Sequence, residues 1–526
     1  MNSNILKLRK KIFLNLKKQA FEYEENHPEL LTYLKEQVDS AQSDFEQRDF
    51  DFLTSQVLTS QVTYLGDFHT FDQNIRNVLR IIKIILTQES EVVLGLEMVS
   101  HKHQFYLDAY TEGHLTDLEF LDCIQYHHSW RFPWTHYKLI FEIVKKHNIK
   151  VIGLNTEGSL ADRDQFAAQQ ISHEIEKKPN AKFLIFYGEL HITKNKIPKL
   201  LKEFIPEIKQ TIIHQNLDEV YWKMTEAGNE FGLVSFNANE FCIISAPPWI
   251  KYESMIYWYE NLSDDPDFDI NDYIIQNGAK TFTGNTEEDF LQISTELAVH
   301  LDLKQCHDFL DDFKLYDHSN LEYVEKKLKK EINKTLFDSY KKLISLNKSF
   351  IFPKGTNYYC SSYSMNRISY LAGIHIYSVY LQLNEVFRID ILQSKSTQQK
   401  FILYTFQAMF AFFFSKIINP HRKCMMYKDL LLHEDDKLAY KALQILDRES
   451  LSKTTTKINH IETFLLAEYI GHILGEYLYD FAYSHKNKVN LEKDFLMLTP
   501  TKESFELVLE KLLTNQNYKT HAKRYF

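Results

Sequence analysis

The chain has 526 residues, enough for more than one hydrophobic core, so two or three domains are expected. Hydrophobic residues make up 44% and charged residues 25%, which is an ordinary globular composition and excludes a disordered chain. The formal net charge of −10 argues against a general nucleic-acid-binding protein.

Residues 1–60 are predicted to form a helical N-terminal arm of two or three helices. Basic residues are mixed through its first apolar stretch, which lacks the apolar core of a signal peptide and a cysteine for a lipid anchor. The five cysteines of the chain lie far apart and form no CxxC pair, so neither disulfides nor a thiolate metal site is indicated. A reducing compartment fits this usage, and we expect a cytoplasmic protein.

Residues 61–248 are predicted to form an α/β domain. Short runs of β-branched and aromatic residues alternate with segments of helical periodicity, which is typical of a parallel sheet with right-handed crossovers. The predicted strands are 62–66, 92–96, 150–154, 182–187 and 211–215, and the predicted helices are 72–88, 101–148, 161–177 and 195–204. Two adjacent runs, 231–237 and 241–247, predict an antiparallel hairpin at the sheet edge.

Residues 249–526, which follow a Pro-Pro pair, are predicted to form a large, mostly α-helical C-terminal region of unknown role. Its periodic segments are 286–303, 319–347, 363–385, 397–418, 436–448, 457–480 and 500–516, with a small hairpin at 349–353 and 357–362. The most apolar stretch, Phe401 to Ile418, includes Gln407, Ser415 and Lys416. We interpret it as a buried helix and expect no transmembrane segment.

Two predicted strands of the α/β domain end in the same Gly-acid-x-His pattern, VTYLGDFHT at 62–70 and FLIFYGELH at 183–191. Asp67 stands two residues before His69, and Glu189 two residues before His191. Each pair points to one side of the chain if the extended path continues.

Two further strands end in polar residues, Glu97 and Asn155. Ligands bind at the carboxyl ends of strands in open parallel sheets, so all of these side chains are expected to converge. Two histidines and up to three carboxylates suit a divalent transition metal or paired acid–base catalysis. Alternatively, each histidine is a hydrogen-bonded structural residue and Asn155 shapes a loop. Glu97 is harder to explain structurally, since burying a carboxylate without a partner is costly.

An aromatic and histidine-rich cluster, YHHSWRFPWTHYKLIF, occupies residues 126–141. One interpretation is packing between a loop and the sheet. The other is a wall over the strand ends that stacks on a flat or apolar ligand. The candidate ligand-binding residues in it are His128, Trp130, Trp134 and Tyr137.

The stretch LADRDQFAAQQI at 160–171 has two interpretations. Asp162 or Asp164 can begin a helix, with small residues behind it for close packing against the sheet. Arg163 can equally hold the carboxylate of Glu97 or Glu189. We favour the structural interpretation of this stretch and keep Arg163 as a candidate ligand-binding residue.

In this order, GDFHTFDQ, GLEMV, the W-x-F-x-W-x-x-Y string, GLN, RDQFAA and GELH resemble the ChaN-like haem-binding uptake family. That family shares a superfamily with the Tiki metalloproteases and the erythromycin esterases. The resemblance covers roughly residues 60–215, and it implies a parallel sheet flanked by helices. The chain differs from the family in having Asp67 where Glu is usual, no lipobox, and a long helical C-terminal half.

What the resemblance implies for function differs between branches. ChaN-like members bind haem and are linked to iron uptake. Tiki-like members hold a divalent metal and cleave peptides, and the matching positions here are His69, Glu97 and His191. Erythromycin-esterase-like members activate water without a metal, with Asp67 added to those matching positions.

Three hypotheses follow. The first is a ChaN-like protein that binds haem or iron, and the second is a hydrolase that uses Asp67, His69, Glu97 and His191. The third is an interaction scaffold in which the site has decayed. The expected partner is haem or another small molecule, and the expected cofactor is haem or a divalent transition metal.

Overall fold

A computed structural model describes residues 3–23, 28–88, 91–261, 286–383, 396–433, 436–483, 490–513 and 518–519. The chain divides into two compact units. One comprises residues 12–270 with 525–526 and is called here the α/β unit. The other comprises residues 1–11 with 271–524 and is called the helical unit. The domain boundaries predicted at residues 60 and 248 stay predictions.

An eight-stranded, mostly parallel sheet organises the α/β unit, as predicted. Its strands are β1 Glu46–Arg48, β2 Val62–Asp67, β3 Val92–Ser100, β4 Lys150–Asn155, β5 Lys182–Gly188, β6 Gln210–Gln215, β7 Gly232–Asn237 and β8 Glu240–Ile244. The spatial order is β1-β7-β8-β6-β2-β5-β3-β4. The strands from β8 to β4 in this order pair in parallel, so β2, β5 and β3 lie side by side with their carboxyl ends at one edge.

Helices cover both faces of this sheet. Those of the α/β unit are Pro28–Ala41, Phe50–Thr59, Gln73–Leu86, Gln104–Thr111, Asp117–Cys123, Tyr126–Ser129, Trp134–His147, Leu160–Lys177, Ile197–Phe204, Asp218–Glu226 and Pro248–Asn261, and the helix Ser3–Glu22 crosses the boundary between the units. Alternate residues of a strand enter different cores. In β5, Leu184 and Phe186 pack in the core with helix Trp134–His147, whereas Phe183 and Ile185 pack with helix Leu160–Lys177.

The predicted hairpin is present as the antiparallel pair β7 and β8, and β8 joins the sheet beside β6. One strand was not predicted. The three-residue β1 pairs antiparallel with β7 and extends the sheet beyond the hairpin. Its residues Glu46, Gln47 and Arg48 are all exposed, so β1 carries no apolar signal from which a strand could be predicted.

The helical unit confirms the predicted large helical region. Its helices within the described residues are Thr286–His300, Leu321–Glu331, Lys334–Ser345, Met365–Leu383, Thr397–Ile418, Tyr427–Leu431, Lys437–Leu446, Leu451–Thr454, His460–Tyr483 and Lys502–Leu513. A small sheet contains the predicted hairpin, β10 Phe350–Ile351 with β11 Asn357–Tyr359, and adds β9 Lys314–Tyr316 parallel to β11.

The helix Thr397–Ile418 lies at the centre of this unit. Within the described part of the chain it alone is long and apolar enough to cross a membrane, by length and composition. All of its residues from Phe401 to Ile418 are buried in protein, which is also what the core helix of a globular unit shows. Lys416, buried in this helix, pairs with Glu476 at 2.9 Å.

Candidate functional site

Three of the predicted site residues meet at one point at the carboxyl edge of the sheet. A Cβ atom added to Gly188, the last residue of β5, would lie 3.0 Å from Glu97 Oε2, 3.3 Å from His191 Cδ2 and 3.4 Å from His69 Cε1. The three side chains come from the neighbouring strands β2, β3 and β5 or from the residues that follow them. They therefore surround a position that stays open because Gly188 has no side chain.

The first histidine of this group, His69, is held by a Tyr–Asp–His chain. Asp67 Oδ2 lies 2.9 Å from His69 Nδ1 and accepts a hydrogen bond of 2.9 Å from the hydroxyl of Tyr137. Because an ionised carboxylate only accepts hydrogen bonds, Nδ1 carries a proton, and Nε2 has a lone pair whenever the ring is neutral. Burial alone would lower the pKa of His69, but the charge and hydrogen bond of Asp67 together with Glu97 raise it.

The second histidine, His191, is held in the same way. Its Nδ1 lies 2.5 Å from Asp164 Oδ1, and the hydroxyl of Tyr33 donates to Asp164 Oδ2 at 2.7 Å. Nε2 of His191 has no hydrogen-bond partner among the described residues. The structure therefore contains two Tyr–Asp–His chains, Tyr137–Asp67–His69 and Tyr33–Asp164–His191, whose imidazoles border the same point.

Glu97 lies between the two imidazoles and is fixed from two sides. Its Oε1 accepts a hydrogen bond from Arg163, and its Oε2 accepts one from the backbone N–H of Gly188 at 2.6 Å. Burial alone would raise the pKa of Glu97, but the charges of His69, Arg163 and His191 lower it, so the carboxylate is ionised. This contact corresponds to the second interpretation of residues 160–171, in which Arg163 holds the carboxylate of Glu97.

The start of helix Leu160–Lys177 explains how Arg163 and Asp164 reach the site. Ser159 caps the helix and forms a capping box with Asp162. Asp162 is therefore used as a helix-start residue, as predicted, and Arg163 and Asp164 follow it directly. Ala167 and Ala168 are fully buried one turn later, which allows the helix to pack closely on the sheet.

The carboxylate of Glu189 has partners other than the three side chains beside Gly188. Its two carboxylate oxygens contact His214 Nδ1 at 2.5 Å and the backbone N–H of Gln215 at 3.1 Å. The carboxylate occupies the space that a side chain at residue 66 would need, since a Cβ on Gly66 would lie 1.7 Å from Glu189 Oε2. Its role as a ligand-binding residue stays a prediction, and the observed contacts are those of a buried structural ion pair.

Aromatic rings line the side of the site next to His69. The ring centroids of Trp130 and Phe132 lie 4.6 and 4.7 Å from that of His69. Phe132 stacks in turn on Trp258, at 4.7 Å, and Trp258 Nε1 donates to the carbonyl of Arg131 at 3.1 Å. The interpretation of residues 126–141 as a wall beside the strand ends fits Trp130, and Trp258 from helix Pro248–Asn261 extends this wall.

The remaining predicted residues lie apart from the two Tyr–Asp–His chains. Trp134 packs against Tyr110 and Phe141 at the edge of the hydrophobic core, at 6.1 and 5.3 Å between ring centroids. His128 is exposed on the short helix Tyr126–Ser129. Asn155 ends β4, the outer strand, where it pairs in register with Ser100. Their ligand-binding roles stay predictions.

The site opens toward solvent at His69. The side chain of His69 is 25% exposed, compared with 3% for Glu97 and 8% for His191. A ligand that arrives from solvent therefore meets His69 before the two deeper side chains.

A divalent metal on His69, Glu97 and His191 stays a prediction. Within the ranges that the structure describes, no group of three His, Cys, Asp or Glu side chains has the arrangement of a metal site. Glu97 is engaged by Arg163 and by the N–H of Gly188, so it would have to give up these partners to bind a metal.

Three contributors to the site were not assigned a role there from the sequence. The sequence offers Asp164 only as a helix start, although an acid near the start of a helix that packs on the sheet edge is a usable signal. Tyr33 lies 131 positions before Asp164, and Trp258 lies 127 positions after Arg131, so no local pattern relates either pair.

Comparisons with known proteins agree with the motifs. The family model described as "Haem-binding uptake, Tiki superfamily, ChaN" matches residues 53–165. A solved structure, described as cofacial heme binding to ChaN of Campylobacter jejuni, is similar over 34% of this chain and 90% of that chain, with 16% identity and a TM-score of 0.29. No curated protein matches. The resemblance to the ChaN-like family that the motifs predicted is therefore confirmed for residues 53–165.

Proposed function

We propose that the α/β unit binds haem, with the imidazole of His69 as the side chain that ligates the iron. The observation that supports this most directly is the match of residues 53–165 to a haem-binding uptake family, because that segment contains both His69 and the aromatic residues beside it. Haem supplies an iron centre and a visible absorption band.

The surroundings of His69 fit such a ligand. A histidine that binds a metal through one ring nitrogen usually donates its other N–H to a carboxylate or carbonyl, which fixes the ring and makes it more basic. Here Asp67 accepts from Nδ1, and Nε2 lies 3.9 Å from Glu97 Oε2, too far for a hydrogen bond. Nε2 is therefore available to an iron ion.

Because haem is large, we assign the more exposed His69, and not His191, as the iron ligand. The rings of Trp130 and Phe132 offer apolar surface beside the more exposed imidazole, as a flat macrocycle requires. His191 lies deeper and is only 8% exposed. The macrocycle would therefore contact the site at its outer rim, beside His69.

The test is a titration of the full-length protein with hemin, followed by the Soret band. We expect the wild type to bind hemin and His69→Ala to lose the Soret shift of the wild type. His128→Ala is the matched control, because it removes an exposed histidine from the same stretch of chain and is expected to leave the spectrum unchanged. A wild type that gives no spectral change at stoichiometric hemin, or a His69→Ala variant with the wild-type spectrum, would contradict the proposal.

One observation favours a second candidate function, hydrolysis by an activated water molecule. Two imidazoles, whose Nε2 atoms accept no hydrogen bond from the described part of the chain, border the same point as an ionised Glu97, which is an arrangement for moving protons to and from a small substrate. In this function His191 takes the proton of the attacking water, and Glu97 stabilises the charge on the imidazole that forms.

A panel of chromogenic esters and peptides tests this second function. If one substrate is turned over, His191→Ala is expected to reduce kcat/KM about 100-fold or more, as the loss of a general base does. His128→Ala again serves as the control. Turnover that persists in His191→Ala, or no turnover of any substrate by the wild type, would count against hydrolysis.

A further inference from the structure

The helix Pro28–Ala41 lies before the family-matched segment 53–165 but supplies a side chain to the site. Tyr33, on that helix, is 4% exposed and donates its hydroxyl hydrogen bond to Asp164 Oδ2 at 2.7 Å. The other oxygen of Asp164 lies 2.5 Å from His191 Nδ1. One carboxylate thus joins the helix to the deeper imidazole.

The ring of Tyr33 also contacts the imidazole directly. The two ring centroids lie 5.6 Å apart with the rings edge to face, and the ring of Tyr187 meets the same imidazole edge to face at 5.2 Å. These contacts leave the imidazole little freedom to rotate, and Nδ1 is directed at Asp164.

The ammonium group of Lys196 links the helix Pro28–Ala41 to the segment after β5. Nζ of Lys196, five residues beyond His191, lies 3.6 Å from the centroid of the Tyr33 ring and 2.9 Å from Glu36 Oε2 on the same helix. Burial and the neighbouring Asp164 raise the pKa of Tyr33, so the phenol stays protonated and can only donate to that carboxylate.

We propose that Tyr33 is a positioning residue that acts on His191 through Asp164, and that the N-terminal helix is thereby part of the functional site. Held in this way, His191 borders the point beside Gly188 with Cδ2, and the adjacent ring atom Nε2 is the proton acceptor for water or another small hydroxylic molecule. Its small exposed fraction excludes anything larger. This inference rests on the proposed function in one respect, that the same site is used. The hydrogen bonds between Tyr33, Asp164 and His191 are present without haem.

The two Tyr–Asp–His chains provide a matched pair of variants. Tyr33→Phe removes the hydroxyl group that Asp164 accepts, and Tyr137→Phe removes the equivalent group from Asp67. Both variants keep their rings and therefore most of their packing. NMR of the full-length protein with 15N-labelled histidine, without hemin and at one fixed pH, reports the Nδ1–H proton and both ring nitrogens of each histidine. The signals are assigned from His69→Ala and His191→Ala.

We expect Tyr33→Phe to shift the Nδ1–H proton and ring nitrogens of His191 and to leave those of His69 at their wild-type positions. Tyr137→Phe is expected to do the reverse. Lys196→Met, which removes the cation over the Tyr33 ring and its ion pair with Glu36 but keeps the hydroxyl group, tests the other contacts of the helix and is expected to preserve the His191 signals.

Wild-type His191 signals in Tyr33→Phe would overturn the proposal. Equal changes at both histidines, or the same change in Lys196→Met as in Tyr33→Phe, would also overturn it, because either result indicates a packing effect. A failure of the proposed function is seen separately, as the absence of a hemin response in the wild type.

Discussion

Three histidines of the α/β unit, His69, His191 and His214, fall into two kinds according to what their second ring nitrogen contacts. His69 and His191 each direct Nδ1 at an aspartate, and among the described residues neither Nε2 has a hydrogen-bond partner. His214 has a carboxylate on each nitrogen, with Glu189 at 2.5 Å and Glu240 at 3.4 Å. Nε2 of His69 and of His191 is available to a ligand. Both ring nitrogens of His214 are paired with carboxylates of the protein, so this histidine contributes to stability.

His214 leads to a prediction about pH. Burial alone would lower the pKa of His214, but Glu189 and Glu240 raise it to about 9. Because this folded-state pKa lies above the unfolded value of about 6.5, the stabilisation is complete below about pH 6.5 and is lost as the pH rises through about 9. The free energy of unfolding is expected to fall by an amount on the order of 3 kcal/mol over that window.

Urea unfolding of the full-length protein between pH 6 and pH 9.5 measures this fall. His214→Gln removes the titrating group, so its free energy of unfolding is expected to change much less over the same window. An equally steep fall in His214→Gln would show that other groups are responsible.

Which site residues could be predicted depends on how far along the chain their partners lie. Asp67, His69 and Glu97 end apolar runs, so their place at the sheet edge follows from local pattern. That Tyr33 donates to Asp164 depends on where helix Pro28–Ala41 packs, and no residue near Tyr33 indicates it. The sequence likewise could not show that Glu189 turns to His214, since Glu189 occupies the same motif position as Asp67.

At the scale of elements, most strands and helices of the α/β unit were predictable because they have a clear apolar period. The central helix of the helical unit was also predictable in its bounds, 397–418, because apolar residues fill it on every side. The exceptions include β1, whose three polar residues are ordered by pairing with β7, and the nine-residue helix Asp218–Glu226, which lies between two predicted strands. Local pattern therefore identifies the longer elements that bury apolar surface and misses some of the short ones.

The buried ion pair of the helical unit gives a prediction at this scale. Lys416, on the central helix, is 0% exposed and pairs with Glu476, 2% exposed, on helix His460–Tyr483. Lys416→Met would leave Glu476 buried without this cation and is expected to lower the free energy of unfolding by about 3–5 kcal/mol. Replacing both residues with Met removes both charges and is expected to recover most of that loss.

Chemical denaturation of the two variants measures these changes. Lys502→Met is the matched control, because its partner Glu506 and Lys502 itself are 60% and 55% exposed and such pairs contribute less than about 1 kcal/mol. A double variant no more stable than Lys416→Met would mean that the pair has a further role in the packing of these helices.

At the scale of the whole molecule, the family-matched segment is smaller than the structural unit that contains it. Residues 53–165 include β2, β3 and β4, whereas β5, which carries Gly188 and leads to His191, lies beyond them. The α/β unit runs from residue 12 to residue 270. The segment therefore supplies only part of the sheet. Two members of the Tyr–Asp–His chains, Tyr33 and His191, lie outside it, whereas Glu97 and Arg163 lie inside it.

A fragment of residues 12–261 tests whether the α/β unit is self-sufficient. It is expected to fold and to bind hemin with the spectrum of the full chain, because it keeps both Tyr–Asp–His chains and the Lys17–Asp218 ion pair of 2.8 Å. A fragment of residues 53–261 lacks Tyr33, β1 and Lys17, and is expected to have a clearly lower Tm. Thermal melts and hemin titrations of both fragments measure this, and equal Tm values would contradict it.

The position of Tyr33 upstream of the matched segment has a consequence for comparing relatives. Alignments limited to the segment would group chains that have this phenol with chains that do not, although their inner imidazoles would be oriented differently. Classification by the residue that faces Asp164 should therefore separate subgroups that differ in reactivity, and the helix before the segment is where that divergence should be sought.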